Sequence, residues 1–375
     1  MIKVGSDFSG VGAFNQALIR LGIEYKEVFA CDMDKYARQT FIENYGEPEY
    51  YPTNVYEREI PKESLDVYMT SPPCQAFSMA GKRLGKEDKR GILFFNSYEF
   101  IQENKPRFFI FENVKGLLSE DNGKTFQEWV NMLGGKSVNG LPVLFPYEES
   151  VPYHLYYKVL NAKEHGVPQN RERVFLIGIR DDKDNTFRFP IEEHLTKRLK
   201  DVLEDNVEEK YFLSEKMING FLKHNDNHNE KGTGVIFKPK NNDDIDNCLR
   251  ANAALCATDN SIKVGYINQD TQASALYSNV GDYRTDEGFR WRQDGNSPCL
   301  MASMRDKWSE KFTAQNPPIT TNSYKIRRLT PRECFRLMDF PDTFTWSCSD
   351  SQAYKQAGNS IVVNVLYKIL KNLPL

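Results

Sequence analysis

The chain lacks a dominant charge. Its 49 Lys and Arg against 52 Asp and Glu leave a net charge of −3 over 375 residues. A uniformly basic coat for nucleic acid is excluded, so any phosphate contact must come from a local basic face. There is also no apolar run long enough to span a bilayer, and no membrane partner is expected. Cysteine is sparse: seven residues, scattered, with no Cys-x-x-Cys pair. That pattern argues against a metal site of the zinc type and against a disulfide framework, and it fits a reducing cytoplasmic setting. The opening residues Met1 to Asp7 read as a strand rather than a signal peptide. What is present is ordinary for a globular chain, 40% apolar and 27% charged. The length allows two domains with buried cores, and a monomer is the expected state.

The first half alternates strand and helix signals. Ile2 to Asp7, Glu27 to Cys31, Asp66 to Thr70 and Arg107 to Glu112 read as strands, followed by His154 to Leu160 and Arg173 to Gly178. Val11 to Leu21, Lys35 to Tyr45 and Leu93 to Glu103 read as helices, the first two stopped by Gly22 and Gly46. This order predicts an α/β fold with a mostly parallel sheet covered on both faces. Past Arg180 the chain turns polar, rich in Asn and Asp, and weakly periodic, although aromatics persist. Order returns at Ile326. Thr330-Pro331-Arg332-Glu333 forms a capping box that opens a helix to Met338. Asn359-Ser360 is expected to cap a final amphipathic helix that packs back on the N-terminal sheet.

Four constellations carry chemistry. Pro72-Pro73-Cys74-Gln75 follows a strand, where the prolines fix a rigid bend and present a thiol at a sheet end. Alone, that motif reads equally well as an inert loop cysteine. Phe8-Ser9-Gly10-Val11-Gly12 makes a tight turn into a helix, and Asp32 ends the next strand, a layout suited to a nucleoside cofactor. The third glycine of a dinucleotide fingerprint is absent, with Asn15 in its place, which opposes a nicotinamide dehydrogenase. Glu112-Asn113-Val114 closes the most apolar strand, where desolvation raises a carboxyl pKa and lets it hold a proton; the plain alternative is a structural acid. Gln169-Asn170-Arg171-Glu172-Arg173 puts Arg171 and Arg173 on one face of a strand, for an anionic or carbonyl ligand or for surface ion pairs.

Together these motifs resemble the DNA (cytosine-5) methyltransferases of bacterial restriction-modification type. Phe8, Gly10 and Gly12 match the family's Phe-x-Gly-x-Gly. Pro73, Cys74 and Gln75, with Ser78 after them, match its Pro-Cys-Gln. Glu112, Asn113 and Val114 match Glu-Asn-Val, and Gln169, Arg171 and Arg173 match Gln-x-Arg-x-Arg. Arg327, Leu329, Thr330 and Glu333 match the late Arg-x-Leu-Thr-x-x-Glu, and Gly358, Asn359 and Ser360 match the closing Gly-Asn-Ser. The resemblance covers most of the first 180 residues and the last 50.

The resemblance implies a Rossmann-like methyltransferase fold binding S-adenosyl-L-methionine, with a smaller irregular target-recognition domain. On this reading residues 1–185, completed by 345–375, are catalytic and cofactor-binding. Residues 186–325 choose the target, and 326–344 connect back. It implies methyl transfer to C5 of a flipped-out cytosine in double-stranded DNA, with Cys74 as nucleophile and Glu112 at the base N3. Arg173, Arg171 and Asn113 would complete the base pocket. Phe8, Gly10, Gly12, Asp32, Met33, Asn54, Pro73, Leu93, Asn359 and Ser360 would line the cofactor site. Met33 stands where the family often has an aromatic, and Asn54 where it often has Asp. Gln75, Ser78, Lys82, Arg83, Lys89, Arg90, Gln169, Arg327 and Arg328 would meet DNA, the basic cluster on a closing lid over Ala76 to Gly91. Arg284, Arg290, Arg292 and Arg305 are candidates for reading guanine. A restriction endonuclease would be a functional partner. The rival readings are a tRNA cytosine-5 methyltransferase and a catalytically silent DNA-binding homologue.

Overall fold

Continuous apolar runs need both faces covered, and this chain places them at the centre of a mixed sheet. The computed structural model describes residues 1–73, 92–231, 237–251, 260–265, 281–284, 288–291 and 324–375. In chain order the elements begin β1 (Ile2–Asp7), α1 (Ala13–Leu21), β2 (Tyr25–Cys31), α2 (Lys35–Tyr45) and β3 (Val67–Thr70). They continue with α3 (Ile92–Asn104), β4 (Phe108–Val114), α4 (Lys124–Leu133), β5 (Ser137–Val138) and β6 (Leu141–Pro142). Then come β7 (His154–Asn161), β8 (Gln169–Asn170), β9 (Glu172–Ile179) and, much later, β10 (Asp246–Asn247).

Eight strands form one sheet in the order β2-β1-β3-β4-β9-β7-β5-β6. The β2-β1-β3-β4 half is parallel, while β9 runs antiparallel to both β4 and β7. All four residues of β3 are buried, as are Phe108 to Asn113 of β4. Phe94, Phe111 and Trp129 pack there, the Phe94 and Trp129 rings stacking 4.2 Å apart. The register brings Asp7 opposite both Cys31 and Thr70, and Thr70 opposite Phe111. The carboxyl ends of β2, β1 and β3 therefore finish level, and β4 runs three residues further to Val114, at the edge where α/β sheets form ligand crevices.

The chain divides into two compact units. One comprises Met1–Glu204, Ile245–Ala254 and Pro331–Leu375; the other comprises Asp205–Asp244 and Leu255–Thr330. These seams lie elsewhere than 185/186 and 325/326, for a physical reason. Arg336, in the helix Pro331–Leu337, donates to the carbonyls of Val202 and Leu203 at 3.2 and 3.1 Å, and Glu333 accepts from the Glu204 N–H at 2.8 Å. The stretch ending at Glu204 is thereby tied to the C-terminal segment. Residues 245–254 return to the first unit because β10 pairs with β8.

The final helix differs from expectation. Asn359 ends the helix Asp350–Asn359, and the last helix, Val363–Lys371, starts after Val362 with no side-chain cap. Its stripe is buried as the periodicity requires: Val363, Val365, Leu366, Ile369 and Leu370. The second unit holds the helix Glu215–Lys231, an antiparallel pair of Ser261–Gly265 with Tyr324–Arg328, and a hairpin pair of Gly281–Arg284 with Gly288–Trp291. Phe221 and Phe237 pack there with ring centroids 4.9 Å apart. Among the described residues no helix is long and apolar enough to cross a membrane.

Candidate active site

The turn after β1 is built from left-handed backbone. Phe8, Gly10 and Gly12 have φ of 58°, 54° and 82°. At Gly12 a Cβ would also meet the Tyr45 ring at 2.2 Å, so only glycine fits. The loop is closed by Asp32, whose carboxylate accepts from the Gly10 N–H and the Asp34 N–H, each at 2.8 Å. Burial pushes the Asp32 pKa up, against those hydrogen bonds. Each carboxylate oxygen keeps a second lone pair. Beside it Met33 is 86% exposed, an apolar side chain with no core to cover. A half-buried acid next to an exposed thioether suits a ribose and a purine face, so these residues fit a nucleoside cofactor.

Other expected cofactor residues are less uniform. Asn54 folds onto its own loop, accepting from the Tyr56 N–H at 3.1 Å and donating to Glu57 at 2.9 Å. Leu93 is partly buried against the core, and Pro73 is exposed. Asn359 is exposed, whereas Ser360 is buried, its hydroxyl donating to the Ile361 carbonyl at 3.2 Å.

The other half of the site lies at the end of β4. Glu112 is 7% exposed and meets Arg173 Nε at 3.1 Å. Burial raises the Glu112 pKa; Arg173, then Arg171, pull the other way without reversing it. A carboxyl in that balance can hold a proton and stay oriented by its guanidinium. Asn113 donates to the Pro72 carbonyl at 3.0 Å and caps the Val114 N–H at 2.8 Å. Its amide therefore anchors the backbone two residues before Cys74 in the sequence.

Two expected contacts are corrected by burial. Gln169 is fully buried, donating to the Leu337 carbonyl at 2.7 Å and accepting from the Leu249 N–H at 3.2 Å. It joins three segments and is not presented to DNA. Arg327 is 2% exposed in the second unit, donating to the Arg328 carbonyl at 3.1 Å, so it too is withdrawn from a phosphate. Arg328 lies over the Tyr211 ring at 5.4 Å. Arg171 is a tie within the first unit: it donates to the carbonyls of Leu249, Gly358 and Ser360 at 3.1, 3.0 and 2.7 Å, and burial lowers its pKa to about 10.

Cys74, Gln75, Ser78, Lys82, Arg83, Lys89 and Arg90 lie outside the described residues, as do the lid segment, Arg292 and Arg305. Sequence reasoning missed Cys248, whose sulfur stands 3.3 Å from Arg171 and 3.7 Å from Arg173. It also missed a buried pair, Asp7 and Arg58, behind the cofactor loop. The only signal for the first of these was its place just before Phe8; nothing in the sequence marks Arg58 or Cys248.

A family model for C-5 cytosine-specific DNA methylases matches residues 2–374. The orphan methyltransferase M.SPRI of Bacillus phage SPR is 33% identical, covering 99% of this chain and 97% of that protein. The type II methyltransferase M.HhaI of Haemophilus parahaemolyticus is 31% identical, covering 98% and 92%. Among solved structures, a Spodoptera frugiperda DNMT2 variant superposes with a TM-score of 0.65 at 20% identity, over 99% of each chain. That last likeness is one of fold.

Proposed function

Because the chain belongs to the C-5 cytosine-specific DNA methylases, we propose that it methylates C5 of a cytosine within a particular duplex DNA sequence, through a covalent bond to Cys74. The observation that carries this reading is the buried Glu112–Arg173 pair at the end of β4, beside Asn113, which holds the carbonyl of Pro72, two positions before Cys74 in the sequence. Cytosine C5 is a weak nucleophile. Bonding of the Cys74 sulfur to C6 pushes electrons onto the ring and makes C5 reactive. Glu112 supplies a proton to N3 as that bond forms, so the ring gains no net charge. Arg173 holds Glu112 in place and offers its remaining donors to the base O2. After methylation a base takes the C5 proton, the Cys74 thiolate leaves C6, and N3 returns its proton to Glu112, restoring the neutral aromatic ring.

Phe8, Gly10, Asp32 and Met33 would hold S-adenosyl-L-methionine, which when bound supplies an electrophilic methyl group. The base must leave the helix to be reached from both faces, at the cost of a few kcal/mol of stacking. The 76–91 segment, with its lysines and arginines, would close over it and grip phosphate. The second unit would choose the sequence. A restriction endonuclease would share the site in a restriction-modification pair.

The test combines mapping and trapping. DNA from cells expressing the chain is sequenced for methylated cytosines, and purified protein is offered duplex DNA, tRNA and 5-fluorocytosine DNA with a tritiated donor. A single methylated motif and a denaturation-resistant adduct are expected, both lost in Cys74→Ser. Methylation of tRNA alone, or an undiminished rate in Cys74→Ser, refutes the proposal.

A further inference from the structure

Phe8 carries a left-handed backbone, φ 58°, directly after β1. A residue with a Cβ avoids that conformation, and it persists where the surroundings over-determine it. On one side the restraints are plain. The Ser9 N–H donates to the Cys31 carbonyl at 3.0 Å, and the Gly10 N–H donates to Asp32 at 2.8 Å. On the other side stands Asp7, 1% exposed. Its carboxylate meets Arg58 Nε at 3.0 Å and accepts from the Tyr68 hydroxyl at 2.6 Å. The Arg58 guanidinium lies 4.6 Å from the centre of the Phe100 ring and also donates to the Asn96 carbonyl at 3.3 Å.

A buried ion pair is a poor device for stability, because desolvating both charges offsets their attraction, and apolar residues of similar volume often serve as well. Here the carboxylate sits one residue before the strained turn, held from two directions. We propose that the Asp7–Arg58 pair is a positioning device for the methyl donor: it fixes the end of β1 so that Phe8 keeps its left-handed turn and the Phe8–Gly10 loop is formed before the donor arrives. The inference rests on the proposed donor site and adds two buried residues that act through Phe8. Without the pair the turn relaxes, the binding-competent loop becomes a minor form, and apparent affinity falls by the fraction that remains.

The experiment uses the full chain. The double variant Asp7→Leu/Arg58→Met is checked for folding by thermal melting, and donor affinity is measured by calorimetry without DNA. KM for the donor is then separated from kcat. Dissociation constant and KM should rise about tenfold or more, with kcat at saturating donor within about threefold of wild type. In a Phe8→Gly background, where the left-handed turn carries no penalty, the same double substitution should change affinity by only about twofold. A folded double variant with wild-type affinity overturns the inference, as does an equal loss in both backgrounds. Where the double variant does not fold, Asp7→Asn decides by the same two readings. A wild-type chain that binds no S-adenosylmethionine overturns the proposed function and this inference together. Intact wild-type binding with an unaffected variant overturns this inference alone.

Discussion

Arg171 offers a test of where a motif residue's work lies. Replacing it by Met keeps most of the buried volume and removes the guanidinium. Three backbone carbonyls, those of Leu249, Gly358 and Ser360, then lose a donor within 3.1 Å. A buried acceptor left without a partner costs ~1–3 kcal/mol. The sum spans roughly 3–9 kcal/mol before relaxation, and water entry at the polar edge brings the expected loss to about 4 kcal/mol. At ~2–4 °C per kcal/mol that is a fall in Tm of about 8–16 °C. Arg171→Lys, whose ammonium reaches fewer acceptors, should lose about half as much. Calorimetric melting reads the magnitude. Hydrogen exchange over 248–250 and 358–361 reads the place, and faster exchange should be confined to those segments. If Arg171→Met melts within about 3 °C of wild type and loses only turnover, the residue serves the base and the structural argument is refuted.

Three further outcomes are expected. Glu112→Gln cannot deliver a proton and should lower turnover by ~10²–10⁴ while leaving donor affinity intact. Because burial raises the Glu112 pKa, the wild-type rate should fall as pH climbs through that value, and a pH profile of Glu112→Gln should lack this limb. Gly178→Ala would drive a methyl to 2.0 Å from the Phe109 ring in the sheet interior, so a loss of about 2 kcal/mol or more is expected in denaturant unfolding. His165 is fully buried, and burial, with Lys368 and Lys158 nearby, lowers its pKa to about 4 against Glu193 and Glu192. The unfolded chain therefore binds the extra proton first, so stability should be full above about pH 6.5 and fall by up to ~3 kcal/mol on acidifying toward 4. His165→Leu should flatten that slope in melts run across pH.

The order of strands and helices from β1 to β4 was readable because a two-residue or 3.6-residue period reports which face is buried, whatever the partner; α4, β5 and β6 were not read. The Phe8-to-Gly12 turn was readable for a different reason, since only glycine accepts a crowded left-handed position such as Gly12. Glu112 at the end of an apolar run announced its own desolvation, and the structure buries it with Arg173. Strand direction was not readable. β4 and β9 look alike in composition, yet one continues the parallel half and the other reverses it, because periodicity carries no polarity. Nor was the end of the last helix's predecessor: Asn359 has cap chemistry, but Arg171 captures the carbonyls on either side of it and fixes the break there.

The amino-acid sequence by itself determined the family, the strand-helix order from β1 to β4 and the residue types at the candidate centre, since each is a local pattern along the chain. Tertiary structure alone decided what those residues touch. Gln169 and Arg171 look like ligand-binding side chains in a motif, and become internal ties only when Leu249 and residues 358–360 arrive beside them. Asp7 and Arg58, fifty-one positions apart, become a pair because β1 and the segment before β3 converge under one loop. Such contacts are set by the folding of distant segments onto one another, a distance in space that no spacing along the chain encodes.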